Sequence, residues 1–127
     1  MLLDRMCPGG GWNAGNSVAF GVPYSPYIDA TSIALLALRG YEDQRGVPES
    51  LSWLSRGVRD CPAPYSLAWG ILALAAYRDA DMRIKGALAQ ANQAQVTIIA
   101  KRIDSLDTPT LAISALALEA LHGQNVF

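Results

Sequence analysis

Three segments of this chain end on the same Leu-Ala-Leu triplet, and that recurrence constrains the fold more than any other feature. The segments are Tyr27-Ile-Asp-Ala-Thr-Ser-Ile-Ala-Leu-Leu-Ala-Leu38, Ala63-Pro-Tyr-Ser-Leu-Ala-Trp-Gly-Ile-Leu-Ala-Leu74 and Asp107-Thr-Pro-Thr-Leu-Ala-Ile-Ser-Ala-Leu-Ala-Leu118. Their offsets, about 36 and 44 residues, match the span of two-helix repeats. Each segment opens with a turn or cap residue (Asp29 or Thr31, Ser66, Thr108 or Thr110) and then runs apolar on almost every side, as a helix does when it is buried all round. Three inner helices are expected.

The segments between them are more polar. Pro48 to about Val58 and roughly Asp81 to Leu106 carry apolar residues at helical spacing. In the second, Ile84, Leu88, Ala91, Ile98 and Ile103 form one stripe, with Arg83, Lys85, Gln90, Gln93 and Lys101 mostly off it. These are expected to be outer helices, wet on one side. Pro48 suits a first helical turn, and Glu49 beside it favours the positive end of the helix dipole. Gly40 and Gly123 are expected helix stops, and Asp60-Cys61-Pro62-Ala63-Pro64 cannot continue a helix. Val, Ile and Thr nowhere alternate with polar residues for long, so no strand is expected. The chain therefore reads as all-α, built of α/α hairpin repeats with about five to six helices, in a solenoid or a closed toroid. Residues 1–28 form a long glycine- and proline-rich N-terminal segment and residues 29–127 the hairpins, within a single domain.

The N-terminal segment centres on Pro8-Gly9-Gly10-Gly11-Trp12-Asn13-Ala14-Gly15-Asn16. Such glycines let backbone approach where a side chain would clash, and an indole there can cover a helix end while its N–H finds a carbonyl. Gly10, Gly11, Trp12 and Asn13 are read first as a packing motif.

A chain of 127 residues, 51% apolar, is long enough for one domain with a real core. Its longest apolar run, Leu67 to Tyr77, is about half of the roughly 20 residues a spanning helix needs, so no transmembrane segment is expected. Met1-Leu2-Leu3-Asp4-Arg5 lacks the pattern of a signal peptide, which makes a cytoplasmic location the expectation. Its closeness to the glycine loop points to a missing N-terminal portion, whereas Gln124-Asn125-Val126-Phe127 after a helix stop reads as a natural end. The net charge is −1 and basic residues are interleaved with acidic ones, so no nucleic-acid partner is expected. Cys7 and Cys61 each precede a proline and read as reduced thiols rather than a disulfide.

Gly10-Gly11-Trp12-Asn13 with Gly15-Asn16, the linker Val22-Pro23-Tyr24-Ser25-Pro26, and Asp29-Ala30-Thr31-Ser32-Ile33-Ala34-Leu35-Leu36-Ala37-Leu38 together resemble the repeats of the squalene cyclase and prenyltransferase superfamily, as do Ser50-Leu51-Ser52-Trp53-Leu54 and Ser66-Leu67-Ala68-Trp69. The likeness covers Pro8 to about Tyr77, and the remainder only through the third repeat. It implies a closed α/α toroid of about six hairpins, of which this chain has about two and a half to three. In that family's Gln-x-x-x-Gly-x-Trp signature, glutamine and tryptophan brace neighbouring helices; here Gly10-Gly11-Trp12 matches its end and Met6 stands at the glutamine position.

The resemblance also implies two kinds of chemistry. Class II terpene cyclases protonate an alkene with Asp-x-Asp-Asp at the start of an inner helix. Asp29 falls on the middle, proton-donating aspartate, with Tyr27 and Ala30 in place of the other two acids, so Asp29 is read either as a proton donor or as a residue capping its helix. Protein prenyltransferases hold zinc through Asp, Cys and His. Asp60-Cys61 lacks the residue between the two, and His122 lies far along the chain at a helix end, where a histidine suits the helix dipole, so no metal and no cofactor are expected. A phosphate loop, a serine-hydrolase elbow and a Cys-Gly-Glu-Gln thioester are absent from the sequence, and Glu42-Asp43 and Asp79/Asp81 read as solvated surface.

Aromatic residues Tyr24, Tyr27, Trp53, Tyr65, Trp69 and Tyr77 lie near inner-helix starts or on helices. In terpene cyclases such rings line the cavity and stabilise carbocations. Tyr24, Tyr27 and Tyr65 with Asp29 are therefore expected at the mouth of an apolar pocket, and Trp69 as a further ligand contact, against core packing as the alternative. Three functions follow: a non-catalytic binding or interaction module for an isoprenoid-like ligand, or for a second copy or partner chain that completes the toroid; a piece of a class II terpene cyclase using Asp29; and a decayed homologue with structure but no activity.

Overall fold

The structure, a computed structural model, describes residues 2–15 and 18–122. Met1, Asn16 of the glycine loop, the expected helix stop at Gly123 and the terminal Gln124-Asn125-Val126-Phe127 lie outside the described residues.

Among the described residues there are five α-helices: α1 (Ile28–Ala37), α2 (Val47–Gly57), α3 (Pro64–Ala76), α4 (Met82–Arg102) and α5 (Thr108–Leu121). The Leu-Ala-Leu segments are α1, α3 and α5. Helix α3 packs against α1 on one side and α5 on the other, while α2 and α4 lie on a second layer and touch each other. Leu35 of α1, Leu54 of α2, and Leu67, Ile71 and Leu74 of α3 are fully buried where these layers meet. The outer helix expected to run to Leu106 stops at Arg102 and passes into a short 3-10 turn at Ile103–Ser105, which leaves Ile103 exposed rather than on the buried stripe.

Two details of the helix starts differ from expectation. The residue before α1 is Tyr27 and that before α3 is Ala63, neither of which caps through its side chain; Asp29, Thr31 and Ser66 are already inside their helices. The start of α5 is capped by Asp107, one residue before Thr108, with Oδ1 accepting the Thr110 N–H at 2.9 Å. Hydrogen bonds from the Thr110 hydroxyl and then its N–H hold the Asp107 carboxyl below the usual carboxylate range. Its contribution is therefore present above the ordinary carboxylate pKa and is lost as pH falls through the lowered one. The acid-side decline in thermal stability, followed by circular dichroism from pH 7 to about pH 2, should be shallower in Asp107→Asn.

A small antiparallel hairpin was not expected: Val18–Ala19 (β1) pairs with Val22–Pro23 (β2). Its turn residues Phe20 and Gly21 both have positive φ, 51° and 75°, the geometry that suits a two-residue hairpin turn. Two-residue strands are too short to leave an alternating pattern.

Gly70, in the middle of α3, lets that helix approach the chain after α2: a Cβ there would lie 2.6 Å from Cγ1 of Val58. Alanine normally favours a helix over glycine by about 1 kcal/mol, yet Gly70→Ala should lower stability. Val58→Ala should relieve the clash, so a double-mutant cycle in urea should give a coupling of about 1 kcal/mol or more.

Candidate functional site

The glycine loop sets the entry to α1. The Cys7 N–H donates to the Gly11 carbonyl at 2.8 Å and the Gly10 N–H to the Cys7 carbonyl at 3.0 Å, closing the loop on itself. Two helix hydroxyls then hold it. The Gly11 N–H donates to Oγ of Ser50 at 2.9 Å, and the Trp12 N–H donates to Oγ1 of Thr31 at 2.9 Å, whose hydroxyl donates back to the Trp12 carbonyl at 3.1 Å. Trp12 is buried, and its indole N–H donates to the Leu2 carbonyl at 2.7 Å. Asn13 turns the chain by accepting the Gly15 N–H at 2.9 Å. Met6 reaches α2 as well, its Sδ accepting the Ser50 hydroxyl at 3.5 Å. Trp12 and Asn13 are in this arrangement part of the scaffold.

The Trp12 carbonyl also accepts the Tyr27 N–H at 2.8 Å, which fixes where α1 begins. Pro26, Tyr27, Ile28 and Asp29 thereby form one wall of an open cleft of about 510 Å3. The other walls are Trp53 and Gly57 of α2, Cys61, and Ser66 of α3. Of the residues expected at the pocket mouth, Tyr27 and Asp29 meet here. Tyr24, Tyr65 and Trp69 do not line the cleft: Tyr24 is exposed beyond the hairpin, and Tyr65 and Trp69 stack edge to face, 6.5 Å between centroids, with the Trp69 indole N–H buried and without a hydrogen-bond partner among the described residues. Trp53 joins the cleft from the outer layer, a position that only the packing of α2 on α1 reveals.

Asp29 is half-buried, and its Oδ1 accepts the N–H of Ala30 at 2.9 Å. Cys61 borders it. Burial pushes the Cys61 thiol up, a hydrogen bond with the Ala63 backbone opposes this, and the Asp29 charge adds to the rise. Burial raises Cys7 also, and both cysteines are free. Raised thiols hold little thiolate near neutrality. Iodoacetamide at pH 7.5 should label Cys61 more slowly than a free cysteine, and the buried Cys7 more slowly still.

A second cleft, of about 380 Å3, lies between α2 and α4, with Leu51 and Ile84 in its floor and Arg56, Arg59 and Arg83 around it. Arg83 lies 3.9 Å from Asp81, which caps α4 through the Arg83 N–H at 2.8 Å. In the sequence these charges are interleaved along the chain, and the three-residue spacing of Arg56 and Arg59 is the sign of their shared face.

Among the described residues, no three His, Cys, Asp or Glu side chains are grouped to hold a metal ion, and no helix is long and apolar enough to cross a membrane. No protein-family model, no curated protein and no solved structure matches this chain.

Proposed function

We propose that the chain is a non-catalytic helical-hairpin binding module that takes an apolar, isoprenoid-like ligand in the cleft at the starts of α1 and α3. One observation carries the reading: Pro26, Tyr27, Ile28 and Trp53 make half of the cleft's lining residues, beside Gly57, Cys61 and Ser66, with a single carboxylate already bonded to its own helix. Apolar walls with few polar groups are the usual make-up of a small-molecule site. In this reading the chain is a cytoplasmic, squalene cyclase- and prenyltransferase-like section of an α/α toroid, joined by a second copy or a partner chain.

Protonating an alkene needs a carboxylic acid that is desolvated and assisted by a second acid. Asp29 is half-exposed, and the positions where the family has its other acids hold Tyr27 and Ala30. Its place beside two aromatic rings favours a second reading, in which Asp29 is the proton donor of a class II terpene cyclase once the toroid is complete.

Calorimetric titration with farnesol tests both. Binding should fall about tenfold in Trp53→Ala, the loss of about 1.4 kcal/mol of aromatic contact, and stay within about twofold in Asp29→Asn. A wild-type chain that does not bind overturns the module reading. A cyclised product from squalene that disappears in Asp29→Asn transfers the site to the second.

A further inference from the structure

The three inner helices share a register but bury opposite faces at the two ends of the array. Positions 31, 32 and 35 of α1 are buried, as are the equivalent Leu67, Ala68 and Ile71 of α3; their equivalents on α5, Leu111, Ala112 and Ala115, are exposed, together with Leu116. The reverse holds on the other face. Ile113 and Ala117 of α5 are buried, whereas their equivalents on α1, Ile33 and Ala37, are exposed, Ile33 by 48%. Each inner helix thus offers one face forward and a different face backward, and the chain joins such a pair twice, α1 to α3 and α3 to α5. One face of each kind is left over.

The outer layer at α1 is already supplied. Gly70 of α3 faces Leu54 and Val58, and the equivalent Ser114 of α5 accepts a bond from Gln95 of α4 at 2.7 Å. The equivalent Ala34 of α1 shares a groove of about 300 Å3 with Trp12 and Leu2 of the N-terminal segment. Ile33 and Ala37 line that same groove.

We propose that copies of this chain associate head to tail, the Leu111, Ala112, Ala115 and Leu116 face of α5 in one copy seating against Ile33 and Ala37 of α1 in the next. A second copy is the occupant because the contact repeats, at the same register positions, the two joints inside the chain. One polar contact follows as well. The Tyr77 hydroxyl, just past α3, donates backward to the Leu35 carbonyl of α1 at 2.6 Å. Tyr41 stands at the equivalent position past α1 and is 60% exposed, and the backbone equivalent of Leu35 in the preceding copy is Ala115. Such a joint uses different surfaces on its two sides, so it closes into a ring or runs on as a filament. The proposal rests on the open hairpin array of the module reading and not on the ligand cleft.

Light scattering after size exclusion tests it. The wild-type chain should elute as a multiple of 13.6 kDa, and Ile33→Asp and Leu116→Asp should each run as monomers with unchanged circular dichroism. Mixed in equal amounts, the two variants should form a species of twice 13.6 kDa, because one intact forward face and one intact backward face remain. Tyr41→Phe should weaken association about three- to tenfold, the usual effect of one hydrogen bond. A wild-type chain still monomeric at about 0.5 mM, or a mixture that stays monomeric, overturns the proposal. So does a dimer broken by Leu116→Asp but not by Ile33→Asp, which would be a symmetric α5 contact. Farnesol binding by the monomeric variants is read separately: its presence keeps the module reading when assembly fails, and its absence in an assembled wild type removes the ligand while leaving the assembly.

Discussion

Gly11→Ala is expected to lower stability by about 3 kcal/mol, a fall in melting temperature of roughly 10–15 °C for a chain of this length. Two costs add. Gly11 has φ +83°, a left-handed conformation that costs an L-residue about 1–2 kcal/mol. The new Cβ would also lie 2.7 Å from Cβ of Pro26 and 3.0 Å from Oγ1 of Thr31, so the loop must move off the hydroxyl that binds the Trp12 backbone. Losing that buried bond adds about 1 kcal/mol. Gly9 provides the control, since its φ is +85° but a Cβ there meets nothing. Gly9→Ala should cost about 1–2 kcal/mol, the backbone part alone. Equal losses in the two variants, measured by urea unfolding, would mean that the loop is not packed against Pro26 and Thr31.

Ile71→Ala should cost about 2–4 kcal/mol, because it removes a fully buried side chain from the helix that has neighbours on both sides. The surroundings can collapse little: Leu67, Leu74 and Leu35 are all without exposure. Leu116→Ala is the comparison, 39% exposed on the open face of α5. In the Ile33→Asp background, where no copy covers that face, it should change stability by about 0.5 kcal/mol or less. A small effect at Ile71 would show that α1 and α5 do not clamp α3 as described.

The inner helices were legible because Leu-Ala-Leu recurs with apolar residues all round it, a pattern that packing on two sides demands. Their first residues were not. Tyr27 and Ala63 precede helices without capping them, while the familiar cap types Asp29, Thr31 and Ser66 lie two to four residues inside, where Thr31 serves the glycine loop instead. Gln95 was not legible either, since its polarity hid a place on the buried stripe between Ala91 and Ile98; the Ser114 hydroxyl and the Pro64 carbonyl, both accepting from its Nε2, make that place tolerable. The cleft was half visible. Tyr27 and Asp29 are local to one helix start, whereas Trp53 reaches them from a separate helix and Tyr65 turns away toward Trp69. Sequence spacing reports which residues share a helix face, and says little about which faces meet.

The clasp between the glycine loop and Ser50 spans 39 residues of chain, longer than the connections that close each helical hairpin. Contacts between distant residues carry a larger closure entropy and tend to form late on the folding route. Substitutions at Gly10, Gly11 or Ser50 should therefore leave the refolding rate nearly unchanged and appear as faster unfolding. Such kinetics would make the loop a latch on a body that folds without it, its strength setting how long the native state lasts once formed.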